Sequence, residues 1–190
     1  SFERVHSIRN APVIDFPMET PLPTILGSDA VLQVHKCFLV TQDEQGILII
    51  DQHALHERVM FEELMQRLSK GNLESQRLLV PDAIVADSAQ LEALETNGNL
   101  LEKLGIEASA SGPASISVYA LPTLLVSRNV NGATFIRELL DALGSNEFSS
   151  SEEEALSEIV DMMSCKAAIK AGDQLTPREL SDLLKKRREI

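Results

Sequence analysis

Between residues 51 and 62 the chain reads Asp51-Gln52-His53-Ala54-Leu55-His56-Glu57-Arg58-Val59-Met60-Phe61-Glu62. Two carboxylates and an imidazole in such a short span can ligate a divalent cation, or can hold and deprotonate a water. On a helix His53 and Glu57, four positions apart, stand on one face one turn from each other. His56 falls one position off that face and is the weaker candidate of the two histidines. The order His53-Ala54-Leu55-His56-Glu57 fits neither the H-E-x-x-H nor the H-x-x-E-H zinc-protease pattern. The same residues also describe an ordinary surface helix, with an aspartate cap followed by Glu57, Arg58, Glu62 and Glu63.

For these groups to meet, the chain must pass from strand to helix at Asp51. Gly46-Ile47-Leu48-Ile49-Ile50 is short, β-branched and preceded by the polar turn Gln42–Gln45, which predicts a buried strand. Asp51 then serves as helix N-cap, its carboxylate accepting from first-turn amides. Further on, Ser88–Leu104 carries apolar residues at 91, 94, 100, 101 and 104. Asn97-Gly98-Asn99 interrupts it, so one or two helices are expected. Gly105-Ile106-Glu107 reads as a helix stop leading into a strand. Ser115–Tyr119 alternates as a strand closed by Leu121-Pro122. Thr134–Leu143 has helical periodicity, and Ser149–Glu154 is a start signal for a helix running through Cys165. Thr176-Pro177-Arg178-Glu179 opens the last helix with a proline in the first turn and a Thr-x-x-Glu capping box. These elements make an α+β class.

Asp51-Gln52-His53-Ala54, then Glu57, then Glu62 matches D-Q-H-A-x2-E-x4-E, and this resembles the endonuclease motif in the C-terminal domain of MutL-family DNA mismatch-repair proteins. The resemblance extends over roughly residues 20–190. Gln33–Val40 is similar to that family's opening strand. Gln76-Arg77-Leu78-Leu79-Val80-Pro81 resembles its sliding-clamp docking peptide, with Gln76, Leu78, Leu79 and Pro81 as the contact residues. The same stretch also reads as an apolar strand ending at a proline. Ser164-Cys165-Lys166-Ala167 resembles the start of its A-C-[KR] helix, whose cysteine lies beside the motif.

The resemblance implies metal-dependent nicking of one DNA strand, with Asp51, His53 and Glu57 catalytic and Asp51, His53, Glu57 and Cys165 as metal ligands. Glu62, turned about 140° from Glu57 on a helix, is expected in a supporting or packing role. Cys165 as a soft ligand favours Zn2+, and Mn2+ or Mg2+ suits the carboxylates. Taken alone, Cys165 reads as a small buried apolar residue. A further C-P-H-G-R-P stretch of the family pattern, with two more ligands, would lie beyond Ile190, so metal binding by this chain is expected to be incomplete. ATP would act only through an ATPase domain that precedes this region. The implied partners are a second copy of the chain, the sliding clamp, a mismatch-recognition protein and DNA. The competing class is a non-catalytic dimerisation and clamp-docking scaffold.

Composition bounds these readings. Acids outnumber bases 29 to 17, giving a net charge of −12, so this region alone should bind DNA weakly. Lys185, Lys186, Arg187 and Arg188 read as a solvated helix end favoured by the helix dipole, with Lys166 and Lys170 one turn apart upstream. Two cysteines, Cys37 and Cys165, make neither a disulfide framework nor a paired-cysteine zinc signature. No apolar run reaches the ~20 residues a membrane span needs, and a cytoplasmic location is expected. The expected layout is a linker over 1–19, a discontinuous dimerisation subdomain over 20–75 and 155–190, and an inserted regulatory subdomain over 79–150.

Overall fold

The computed structural model describes residues 31–43, 45–145, 147–149, 151–169 and 174–189. The expected linker, residues 20–30 and Lys170 lie outside the described residues. The architecture is α+β, as the patterning implies, with two three-stranded antiparallel sheets and helices between and around them.

The first sheet is the meander β1 (Leu32–Val34), β2 (Phe38–Asp43), β3 (Gly46–Asp51). Gln33–Val40, expected as one strand, is two, because the chain reverses at His35 and Lys36. Both residues have left-handed backbone (φ 51° and 55°), and Cys37 N–H closes the turn on Val34 C=O at 3.1 Å. This twist matches that of paired strands. Register sets Leu32, Val40 and Ile49 side by side, with Val34, Phe38 and Ile47 on the same face. Leu39, Leu48 and Ile50 point the other way.

That inner face packs on α1 (Gln52–Leu68) and α7 (Pro177–Glu189). Leu39, Leu55, Val59, Leu180, Leu183 and Leu184 form a small core there. Among the described residues nothing covers the outer face: Ile47 and Ile49 are 75% and 72% exposed. The expectation of a buried strand therefore fails at β3, because among the described residues only one side of its sheet meets a helix.

The second sheet has the order β4-β6-β5, from β4 (Ser75–Val85), β5 (Glu107–Gly112) and β6 (Ser115–Pro122). β4 runs through Pro81 rather than ending there. Its ladder to β6 slips between Arg77 and Asp82, and the proline, with no N–H to donate, sits in that bulge. Between β4 and β5 lie α2 (Ser88–Thr96) and α3 (Gly98–Lys103), two helices broken at Asn97. Gly105 follows with φ +76°, where an added Cβ would stand 2.8 Å from the Leu73 carbonyl oxygen.

After β6 come α4 (Thr123–Ser127), α5 (Gly132–Gly144) and α6 (Glu152–Ala167). Ile116, Val118, Phe135, Leu139, Ile159 and Met163 have no exposed surface and centre the large core, to which α1 adds Met60 and Leu64. α6 starts with Glu152, Glu153 and Glu154 against its own positive dipole end. Serine capping takes a different form there: Ser151 makes no side-chain cap bond, and the Ser149 N–H donates instead to Glu158 at 2.9 Å. α7 begins as the sequence predicts, with Thr176 N–H and hydroxyl both donating to Glu179 at 2.7 Å. No helix among the described residues is long and apolar enough to cross a membrane.

Candidate functional site

β3 delivers the chain to Asp51, and Asp51 turns it into α1. The Asp51 carboxylate accepts from Ala54 N–H at 3.0 Å, an N-cap that fixes where the helix starts and hence which residues share its faces. Gln52, almost fully buried, anchors this start to the hairpin. Its N–H donates to Cys37 C=O at 2.8 Å, and its side-chain oxygen accepts from Gln33. A polar residue this deeply placed in the motif had no assigned role in the sequence.

From that start His53 and Glu57 project on one face, with 4.0 Å between His53 Nε2 and Glu57 Oε2. His53 Nδ1 lies 2.7 Å from the Ile169 carbonyl oxygen. A carbonyl can only accept, so Nδ1 carries the proton and Nε2 of the neutral ring keeps its lone pair on the Glu57 side. An outer hydrogen bond of this kind orients a metal-binding histidine and raises its basicity.

Cys165, in the last turn of α6, donates a hydrogen bond from its thiol to Glu57. The thiol is raised above its ordinary pKa, first by what desolvation its neighbours impose and then by the Glu57 and Asp161 carboxylates, so it is held as S–H. Cys165 is exposed, which sets aside its reading as a buried apolar residue: Met163 and Ser164, not Cys165, face the core.

His56 turns away from this row. Its Nδ1 accepts from Ile169 N–H at 3.3 Å, and its Nε2 faces Arg128 Nη2 at 3.3 Å. Burial first, then the charges of Arg128 and Lys186, lower it from 6.5 to about 4, so it is neutral at physiological pH. Together the two histidines hold the carbonyl and the amide of the same residue, Ile169, just past α6. Glu62 pairs with Arg58 one turn back and stands apart from the row.

The structure thus brings His53, Glu57 and Cys165 together pairwise and leaves Asp51 at the helix cap. Among the described residues no three His, Cys, Asp or Glu side chains gather closely enough to form a closed metal cluster. The donor set fits a divalent ion in kind: one imidazole lone pair, one carboxylate, one thiol. Atoms bound to a common ion at ~2.1 Å lie about 3–4 Å apart, so the His53–Glu57 gap is within a small side-chain adjustment of that value. Asp51 uses one oxygen as a cap, and a carboxylate has a second.

The other expected site residues lie far along the chain in β4. Gln76, Leu79 and Pro81 are exposed, Leu79 completely (103%), whereas Leu78 turns inward against the large core. At the opposite end of the chain, Lys186 pairs with Glu63 at 2.5 Å and ties α7 to α1.

Comparison with known proteins gives a consistent picture. Residues 31–175 match the family described as "MutL C terminal dimerisation domain". A "DNA mismatch repair protein MutL" from Phenylobacterium zucineum is 33% identical over 175 residues, covering 92% of this chain and 27% of the relative. Proteins of the same description from Nitrobacter winogradskyi (33% identical; 90% of this chain and 28% of the relative) and Caulobacter vibrioides (31%; 94% and 28%) align similarly. The chain spans between a quarter and a third of the length of these relatives.

Proposed function

The chain belongs to the MutL C-terminal dimerisation domain family, and from that premise we propose that it also carries a metal-dependent DNA-nicking site at the start of α1. The observation that supports this most is His53: its Nδ1 is held by the Ile169 carbonyl, which leaves the Nε2 lone pair beside Glu57, itself bonded to Cys165.

His53 Nε2, Glu57 and the Cys165 sulfur would hold the ion, with Asp51 adding an oxygen from the cap. Cys165 and His53 favour Zn2+, and the two carboxylates suit Mn2+ or Mg2+. Held there, the ion would supply an activated water and offset negative charge on the phosphate for hydrolysis of one phosphodiester bond. The chain's own part is to fix the imidazole tautomer through Ile169, to align Glu57 one turn below His53, and to release the Cys165 proton on binding. The net charge of −12 leaves little affinity for DNA in this region. Delivery to DNA then falls to the sliding clamp, a mismatch-recognition protein and an ATP-driven domain of the full-length protein.

The dimer surface in this reading is the outer face of the first sheet, where Leu32, Phe38, Ile47 and Ile49 are exposed side by side. In this reading the dimerisation part spans 20–75 and 155–190, and an inserted regulatory part spans 79–150.

The deciding experiment is nicking of supercoiled plasmid in Mn2+, with sliding clamp present, by the full-length protein and its Asp51→Asn version. Asparagine caps a helix as well as aspartate does, so the fold and dimer should survive while nicking falls at least 100-fold. Equal nicking by both proteins, or loss of the dimer in the variant, would overturn the assignment.

The scaffold reading rests on β4. The register slip between Arg77 and Asp82 leaves Leu79 fully exposed in the same strand as the exposed Gln76, which supports docking of this extended segment into an apolar clamp pocket. Gln76→Ala with Leu79→Ala should weaken clamp binding about tenfold. Undiminished binding in a titration would remove this role.

A further inference from the structure

Gln52 is the first residue of α1, set between Asp51 and His53, and it is 1% exposed. Burying a primary amide costs free energy unless its polar atoms are bonded. Its side-chain oxygen accepts from the Gln33 side chain, and Gln33 stands on β1 directly opposite Leu39, which has no exposed surface. The two amides therefore meet on the inner side of the first sheet. The Gln52 main chain is held as well: its N–H donates to Cys37 C=O at 2.8 Å, at the end of the turn that joins β1 to β2.

These bonds fix where α1 begins. A helix start leaves its first amides without helical partners; here Cys37 takes that of Gln52 and Asp51 takes that of Ala54. Slippage of the start by one residue would rotate His53 and Glu57 by about 100° around the axis. His53 would then leave the Ile169 carbonyl, and Glu57 would leave Cys165. An apolar side chain of the same volume would seal this part of the core equally well, but its contact with β1 would have no preferred direction. A hydrogen bond has one, so the amide pair sets position as well as filling space.

We infer that Gln52 is a positioning residue for the divalent ion, acting through Asp51 and His53 on either side of it, with Gln33 as its partner. This inference rests on the nicking-site reading above, since it concerns the same ligands. Gln52 holds the ligands and does not itself bind the ion. Its effect is on how closely the Asp51 carboxylate, the His53 imidazole and Glu57 keep the spacing a common ion requires. Supporting hydrogen bonds of this kind set metal affinity by keeping the ligands in place before the ion arrives.

The test compares the full-length wild type with Gln33→Met, with the double variant Gln33→Met/Gln52→Met and, as control, with His53→Ala. Methionine keeps the length of the side chain and removes the hydrogen bond, and the double variant leaves neither amide facing an apolar partner. Zinc affinity is measured by competition against a chelating dye, and hydrogen exchange at the Ala54 amide is measured on the metal-free protein. Both glutamine variants are expected to bind zinc about tenfold more weakly, with Ala54 less protected and helix content retained. Gln33 is half-buried on an edge strand, so Gln33→Met alone decides if the double variant unfolds. Wild-type zinc affinity in the glutamine variants, with affinity lowered by His53→Ala, would overturn the positioning role and leave the nicking site standing. Loss of Ala54 protection at wild-type zinc affinity would make the pair purely structural and overturn the role equally. Wild-type affinity in all variants, His53→Ala included, would remove the nicking-site reading itself and the positioning role with it.

Discussion

His53 on the first turn of α1 and Ile169 just beyond α6, 116 residues apart in sequence, are joined by a 2.7 Å contact from imidazole Nδ1 to the main-chain oxygen. That contact couples the two helices carrying the candidate ligands and places the hydrogen of Nδ1 on the Ile169 side at the same time.

Removing the imidazole should therefore have two effects that can be read separately. His53→Ala is expected to lower zinc affinity by at least 10-fold and to destabilise the fold by about 1 kcal/mol, the net worth of one partly buried hydrogen bond. Competition against a chelating dye measures the first and urea unfolding the second. Wild-type zinc affinity in this variant would remove His53 from the ligand set.

The outer face of the first sheet predicts an oligomeric change. Ile49 is 72% exposed at the centre of a row of apolar residues on paired strands. Ile49→Asp would place a charge in the middle of that face, where association must desolvate it. Sedimentation should show dimer converted to monomer, with helix content retained. A stable dimer in Ile49→Asp would move the interface elsewhere.

Gly105 offers a test of the core that is independent of function. Its φ of +76° disfavours any side chain, and a Cβ there would approach the Leu73 carbonyl oxygen to 2.8 Å, a backbone atom that cannot swing aside. Gly105→Ala is expected to cost about 2–3 kcal/mol in chemical unfolding, from left-handed strain plus the clash. A loss below half a kcal/mol would show that the α3–β5 junction yields easily.

The acid end of the stability profile should report on α7. Thr176, through its backbone N–H and then its hydroxyl, holds Glu179 below its ordinary 4.5. A carboxylate depressed in the folded state contributes stability above its unfolded pKa and loses it as pH falls through the folded value. The amides at the start of α7 should therefore lose protection, relative to their intrinsic exchange rates, as the pH drops from 4.5, and Glu179→Gln should remove that dependence. Identical exchange profiles for the two proteins would show that this box does not hold the helix start.

Local signals were legible in the sequence. Asp51 as cap, Thr176 with Glu179 as capping box, Gly105 as helix stop and the break at Asn97 all depend on neighbours a few residues away, and each stands where the pattern put it. What the pattern missed depends on distant partners. No local rule reports that Ile169 C=O would meet His53, or that Gln52 would be sealed against Gln33. The turn at His35-Lys36 lacks the glycine or asparagine that usually announces left-handed backbone, and so passed for strand. Taken alone, Cys165 reads as buried because of its residue type, while helix phase puts Met163 and Ser164 inside instead.

The bulge in β4 bears on how this protein avoids sticking to itself. β4 is an edge strand with Leu79 and Val80 bare to solvent, a combination that invites another chain to continue the sheet. Pro81 and the register slip from Arg77 to Asp82 break the row of main-chain donors and acceptors such growth would need. Apolar side chains can thus be displayed for recognition by shape while the backbone beside them is a poor template for aggregation.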